Sequence, residues 1–183
     1  MRVLLLLSVV FLGCVKAAPA ANASAPVTTV FVVRHAEKAA EPKADPPLTE
    51  AGAARAELLI NALNGQSLGA AFSTDFQRTR ETASPAAARF GLTTELVDAR
   101  AKDHVQQVAS AVLTKHRGET VLVVGHSNTV PDIVAALGAP RPGDICDAEF
   151  DWLFVVRVPA SGPSTVEQRR YGARTEDESC RAK

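Results

Sequence analysis

The 183-residue chain has no excess of charge of either sign, with twenty Lys and Arg against twenty Asp and Glu. This balance excludes broad attraction to a nucleic-acid backbone or an anionic membrane surface, so any anion site must be local. Aromatic residues make up only 5%, and no internal repeat occurs. With 46% hydrophobic and 22% charged residues, the composition fits one globular domain and leaves little room for two. Cysteine and histidine are scarce, at three and four residues. No His-Xaa-Xaa-Xaa-His or Cys-Xaa-Xaa-Cys spacing occurs among them, which leaves zinc without its usual ligand pattern. Also lacking is an apolar run of the roughly twenty residues that a membrane-spanning helix needs.

The apolar run that does stand out, Val3 to Gly13, follows Met1-Arg2 and precedes small residues from Ala17 to Ala25. Charge, apolar run and small-residue spacer in that order predict a secretory signal. A buried N-terminal strand or helix fits less well, because an Ala/Pro-rich linker follows at once. The chain therefore divides into signal and linker over 1–26, a folded domain over 27–173 and a polar tail over 174–183. Cleavage near Ala18-Pro19-Ala20 gives an exported protein, periplasmic or at the outer surface. Alternatively, Phe11-Leu12-Gly13-Cys14 resembles the signal of bacterial lipoproteins and lipidates Cys14 as a membrane tether. Removing residues 1–26 takes away Arg2 and Lys16 and no acid, so 18 basic residues face 20 acids, a net charge of −2. It leaves Cys146 and Cys180, an even number in a compartment that permits disulfides. A bridge and two free thiols both remain open.

From residue 27 onward, apolar runs alternate with helical periodicity. Thr28 to Val33 reads as a strand. After a polar loop, Leu48, Ala51, Arg55, Leu58, Leu59 and Ala62 mark a helix with one mostly apolar face, N-capped by Thr49. Gly69 to Ser73 is a second strand, Asp75 is placed to cap a helix reaching about Phe90, and Leu92 to Val97 is a third strand. Val105, Val108 and Val112 lie at helical spacing. Thr120 to Val124 is the most apolar strand, and a helix accepting Pro131 in its first turn follows. Trp152 to Val158 and Thr165 to Tyr171 read as later strands. Such alternation implies an α/β layered fold with a mainly parallel sheet.

In open α/β sheets, ligands bind beyond the carboxyl ends of the strands. The polar residues there are Arg34, His35 and Glu37; Ser73, Asp75 and Arg78; and His126, Ser127 and Asn128. Two arginines and two histidines thus converge on one rim. Phosphoryl transfer through a histidine needs such a set: a neutral imidazole attacks phosphorus, and planar guanidiniums hold the equatorial oxygens by paired, charge-assisted hydrogen bonds. This chemistry requires no metal or other cofactor, and Arg34 beside His35 would repel a divalent cation.

Four stretches carry a resemblance: Val33-Arg34-His35-Ala36-Glu37-Lys38; Leu48-Thr49-Glu50-Ala51-Gly52; Ser73-Thr74-Asp75-Phe76-Gln77-Arg78-Thr79-Arg80-Glu81-Thr82-Ala83; and Val123-Val124-Gly125-His126-Ser127-Asn128. In this order they resemble the histidine phosphatase, or phosphoglycerate mutase-like, superfamily. The resemblance implies a three-layer α/β/α sandwich, His35 as phosphoacceptor, Arg34 and Arg78 with His126 around the phosphate, and Asn128 beside it. The pocket arginine comes first in the family's Arg-small-Xaa-Xaa-Thr-Ala run, which selects Arg78 over Arg80.

One part departs. Many members carry an acid about two dozen residues beyond the pocket arginine, and it protonates the leaving oxygen. Counting from Arg78 reaches Lys102, so Asp103 and Asp98 are the nearest acid donors, each with an alternative as helix cap or solvated charge. The implied activity is hydrolysis of a phosphomonoester or phosphoramidate, on a small phosphorylated substrate or a phosphorylated cell-envelope glycan. A mutase is set aside, because roughly 157 residues after signal removal leave no room for the family's inserted segment. The alternative from a different class is a non-catalytic exported module that binds phosphate groups. Asp147, Glu149 and Asp151 lie in a segment placed to shape the substrate site, but a solvated strand entry is the reading preferred for them.

Overall fold

The computed structural model describes residues 26–63, 65–175 and 180. The expected signal, its cleavage region and Cys14 lie outside them, as does most of the 174–183 tail. Six strands and four helices alternate among the described residues: β1 (Thr28–Arg34), α1 (Glu50–Ala62), β2 (Ala70–Thr74), α2 (Gln77–Arg89), β3 (Glu95–Val97), α3 (His104–Lys115), β4 (Thr120–Gly125), α4 (Val130–Ala136), β5 (Trp152–Val158) and β6 (Thr165–Arg170).

The strands form one sheet in the order β3-β2-β4-β1-β5-β6. β1 lies near its centre, parallel to β4 with Val32 opposite Val123, and antiparallel to β5 with Val32 opposite Phe154. β2 is parallel to β3 and β4, so the sheet is mainly parallel and only β5 runs against the rest. Its central strands are apolar at almost every position, as burial on both faces demands. Along β1 the side chains alternate: Val30 and Val32 pack with Val108, Val112, Ile133 and Leu137 of the α3/α4 layer. Phe31 and Val33 pack with Leu59, Leu63, Ala83 and Ala86 of the α1/α2 layer. The result is the expected three-layer sandwich. Leu59 and Leu63 are fully buried, and burying each side chain contributes about 1.5–3 kcal/mol.

Two local expectations change. Thr49 caps α1, accepting from the Gly52 N–H at 3.1 Å, but the buried face is Gly52, Arg55, Ala56 and Leu59. Ala51 and Leu58 of the expected face are exposed, because the close packing of Gly52 on the Glu37 backbone turns the helix; a Cβ at position 52 would collide with the Glu37 carbonyl. Asp75 does not cap α2. Its carboxylate accepts from the Ala99 N–H at 3.1 Å and from Arg100 at 2.9 Å, while the Gln77 N–H of α2 donates to Asp45, 32 residues earlier, at 2.8 Å.

The segment between α4 and β5 crosses back over the carboxyl ends of the strands. Cys146 in this segment is disulfide-bonded to Cys180, with their Cα atoms 5.7 Å apart. Of the two states left open by the sequence, the bridge is the one formed.

Candidate active site

The carboxyl ends of β1, β2 and β4 meet at a pocket of about 330 Å³ lined by Arg34, His35, Arg78, His126, Asn128 and neighbouring residues. Parallel pairing sets this convergence: Arg34 stands opposite Gly125, and the His35 N–H donates to the Gly125 carbonyl at 2.9 Å. The two histidines, 91 positions apart in sequence, thereby come within 5.4 Å of one another, ring centre to ring centre, in an edge-on arrangement. α2 is tied to the same rim by Thr82, whose hydroxyl accepts from the Ala36 N–H at 3.0 Å and donates to the Arg78 carbonyl at 2.7 Å.

His35 is buried, with Nδ1 2.8 Å from the carbonyl of Ala36. A carbonyl only accepts, so Nδ1 carries the ring hydrogen and Nε2 keeps its lone pair. Burial, helped by Arg34 and His126 and opposed by the Ala36 hydrogen bond, lowers the His35 pKa from 6.5 to about 3. Burial, then the charge of Arg78, lowers that of His126 to about 4. Both rings are neutral near pH 7. His126 is held by a relay: the Thr79 hydroxyl donates to the Phe76 carbonyl at 2.7 Å and accepts from Thr74 at 2.7 Å. The Thr74 oxygen is thus left to accept from His126 Nε2 at 3.1 Å, with Nδ1 as the other ring nitrogen.

The arginines are seated on aromatic faces. Arg34 lies 4.1 Å from the centre of the Phe150 ring and Arg78 4.2 Å from that of Phe76. Arg34 Nη1 is shared by the carbonyls of Cys146, Asp147 and Glu149, each at 2.9 Å. Burial pushes both guanidiniums below the usual arginine range; the Asp147 carboxylate is the main opposing influence on Arg34, and Asp45, 3.9 Å away, on Arg78. The Nε groups of both arginines are buried and without a hydrogen-bond partner. Both arginines line the pocket, which gives it a cationic wall suited to an anion.

The other expected residues fall elsewhere. Glu37 turns away from the pocket to Arg55, which donates to its carboxylate at 2.9–3.0 Å. Ser73 donates to the Thr74 carbonyl at 2.9 Å. Arg80 lies in a separate groove with Gln77, Glu81 and Leu96. Neither expected acid donor lines the pocket. Asp98 accepts from the Arg100 N–H at 2.9 Å, and Asp103 accepts from Gln107 at 2.8 Å on the outside of α3. Of the acids expected in the segment that shapes the site, Asp147 lines the pocket, whereas the Thr74–Thr79 relay, the Phe76 and Phe150 platforms and Lys38 in the pocket lining carried no expectation of a role. Phe76 and Thr79 lay within a recognised motif, whereas no local pattern marks Phe150.

Residues 30–100 match the family model described as histidine phosphatase superfamily (branch 1). No curated protein matches the sequence. Among solved structures, the chain resembles the protein histidine phosphatase SixA complexed with tungstate, at 23% identity and TM-score 0.62, over 78% of this chain and 96% of that one. It also resembles a mycobacterial glucosyl-3-phosphoglycerate phosphatase, at 16% identity and TM-score 0.59, over 80% and 99%. A third is mycobacterial hydrolase 2, at 15% identity and TM-score 0.59, over 85% and 94%. At these identities the likeness is one of fold.

Proposed function

We propose that this chain, which belongs to the histidine phosphatase superfamily, is a metal-independent phosphatase that passes a phosphoryl group through His35 to water. The observation that carries this reading is the His35 ring, neutral and fixed by the Ala36 carbonyl through Nδ1, which leaves Nε2 unprotonated in a pocket lined by Arg34 and Arg78. The tungstate bound by the SixA neighbour is a tetrahedral oxyanion of phosphate-like shape, which supports the same use of the pocket here.

Arg34 and Arg78 hold the non-bridging oxygens and place phosphorus in front of His35 Nε2. Nucleophile and phosphorus then start as neighbours, and the guanidiniums gain strength as charge spreads over the equatorial oxygens. His126 is neutral while the pocket is empty. A phosphate dianion at contact distance favours the imidazolium, so Nδ1 acquires a proton and donates to a phosphoryl oxygen, with Thr74 holding the opposite nitrogen. The N–P bond forms as the bond to the leaving group breaks; water then attacks phosphorus and releases His35 and phosphate.

Substrates are small phosphorylated compounds, phosphomonoesters or phosphoramidates, as suits an open pocket of about 330 Å³ walled by Phe76 and cations. Export is part of the proposal, with a periplasmic or outer-surface location. The Cys146–Cys180 bridge supports an oxidising compartment, and phosphorylated cell-envelope glycan is the substrate that such a location offers. A module that only binds phosphate needs the arginines but not an oriented, unprotonated nucleophile, so the His35 geometry favours turnover.

Rapid quench with labelled phosphomonoester tests the reading. An acid-labile, base-stable phosphoenzyme is expected in the wild type and none in His35→Ala, with activity that survives a chelator. Full activity in His35→Ala, or activity that needs an added divalent metal, overturns it.

A further inference from the structure

The pocket described above has a nucleophile and a phosphate seat, and the two acids expected to protonate the leaving group lie outside it. The remaining carboxylates near the rim are mostly committed. Glu37 is bound to Arg55, Asp75 to Arg100, and Asp45 to the Gln77 N–H. Glu149 accepts from the Cys146 N–H at 3.1 Å and from Arg170 at 2.9 Å. Asp147 differs. Its side chain is exposed and lines the pocket, and its carboxylate is met by the Ser127 hydroxyl at 3.4 Å, a long contact from another lining residue.

The backbone makes Asp147 more than a rim charge. Its carbonyl accepts from Arg34 Nη1 at 2.9 Å, between those of Cys146 and Glu149 on the same nitrogen. The Glu149 N–H closes a turn onto the Cys146 carbonyl at 2.9 Å, and the bridge to Cys180 fastens the turn. The backbone of Asp147 is therefore held against the guanidinium that seats the phosphoryl group, close enough for its carboxylate to act on Arg34. That exposed carboxylate lines the pocket together with His35, Arg34 and Arg78, so it faces the same space that a bound phosphate ester fills.

We infer that Asp147 is the general acid for the leaving oxygen, and that the natural substrates are phosphate esters of unactivated alcohols, sugars included, rather than phosphoramidates. This rests on the phosphatase reading above. As His35 Nε2 bonds to phosphorus, the P–O bond breaks, its electron pair goes to the bridging oxygen, and the Asp147 carboxyl delivers a proton there. In the second half-reaction, water attacks phosphorus, its proton passes to the Asp147 carboxylate, and the N–P electron pair returns to His35. Alcohol and phosphate are the net products of ester and water. A phosphoester monoanion, whose second pKa is about 6, brings the proton needed to charge the acid. An alkoxide is a poor leaving group and needs this proton; p-nitrophenolate needs it far less.

The test compares an alkyl phosphate with p-nitrophenyl phosphate. Asp147→Asn should lower kcat/KM for the alkyl ester by about a hundredfold or more, and by at least about tenfold less for the aryl ester. Asp147→Glu should recover part of the alkyl loss. Across pH, the limb of the alkyl-ester profile that reports the acid should vanish in Asp147→Asn; Arg34, Arg78, Lys38, His35 and His126 are the other charged or titratable groups facing the pocket, and all are retained. Equal losses on both esters, or none, overturn the inference, and Asp147→Ser is judged by the same comparison if Asp147→Asn does not fold. Failure of the underlying reading looks different: the wild type then forms no phosphoenzyme and His35→Ala keeps its activity.

Discussion

Lowering the pH below 6.5 should destabilise the fold through its two pocket histidines, by an amount that follows from their burial. The pKa of His35 is lowered from 6.5 to about 3 and that of His126 to about 4. A histidine in the unfolded chain keeps its ordinary value, so between that value and the folded one the unfolded state binds the extra proton. Stability therefore rises with pH across the window and is lost as pH falls from about 6.5, at roughly 1.4 kcal/mol per pH unit for each ring. The loss continues until about pH 3 for His35 and about pH 4 for His126. At about pH 5, some 1.5 pH units down, each ring has withdrawn about 2 kcal/mol, a large share of the 5–15 kcal/mol that holds a typical domain. Urea unfolding followed by the single tryptophan, Trp152, measures this between about pH 7.5 and about pH 5. His35→Gln and His126→Gln should each flatten the dependence by close to one proton, and saturating inorganic phosphate should also flatten it by favouring the charged His126. Variants with the wild-type slope would refute the assignment of buried, neutral rings.

Arg78→Ala should reduce kcat/KM by roughly a hundredfold or more, since it removes a donor that holds the phosphoryl oxygens, whereas Arg80→Ala, in its separate groove, should stay within about twofold; steady-state kinetics on one ester decides between them. Replacing both Cys146 and Cys180 with Ser opens a loop of 34-residue separation and should cost about 3–4 kcal/mol in urea unfolding. Phosphate affinity, read by calorimetry, should fall in the same variant because the Arg34 clamp loosens. Thr74→Val takes the acceptor from His126 Nε2 and should lower kcat by an amount equivalent to about 1–3 kcal/mol with a smaller change in KM.

The strands were legible because their causes are local. β1, β4 and β5 are runs of β-branched and aromatic residues bounded by polar loops, and they fall within a residue of where the pattern puts them. Arg34, His35, Arg78 and His126 were legible because strand ends gather chemistry in this architecture. What stayed hidden depends on partners far along the chain. Asp45 caps α2 from 32 residues away, the Arg34 clamp comes from 112 to 115 residues away, and neither leaves a mark in nearby sequence. Leu58 shows the limit of periodicity: it fits the apolar face of α1 by spacing but is 44% exposed, because Arg55, bound to Glu37 and to the Tyr171 carbonyl at 2.9 Å, takes the inward position. The family spacing points to Asp98 and Asp103, ahead of α3, while the carboxylate that lines the pocket, Asp147, sits on the segment between α4 and β5.

The three acceptors that hold Arg34 are main-chain carbonyls, and the turn that carries them is fastened by the side chains of Cys146 and Glu149, so the grip does not depend on which side chain residue 147 carries. Anchoring and recognition are thereby uncoupled along a single loop. Its backbone keeps the phosphate grip constant, while side chains such as that of Asp147 point at whatever is attached to the phosphate. Such a loop lets a lineage, or an engineer randomising positions 147 and 148, change the preferred leaving group without dismantling the machinery that breaks the bond.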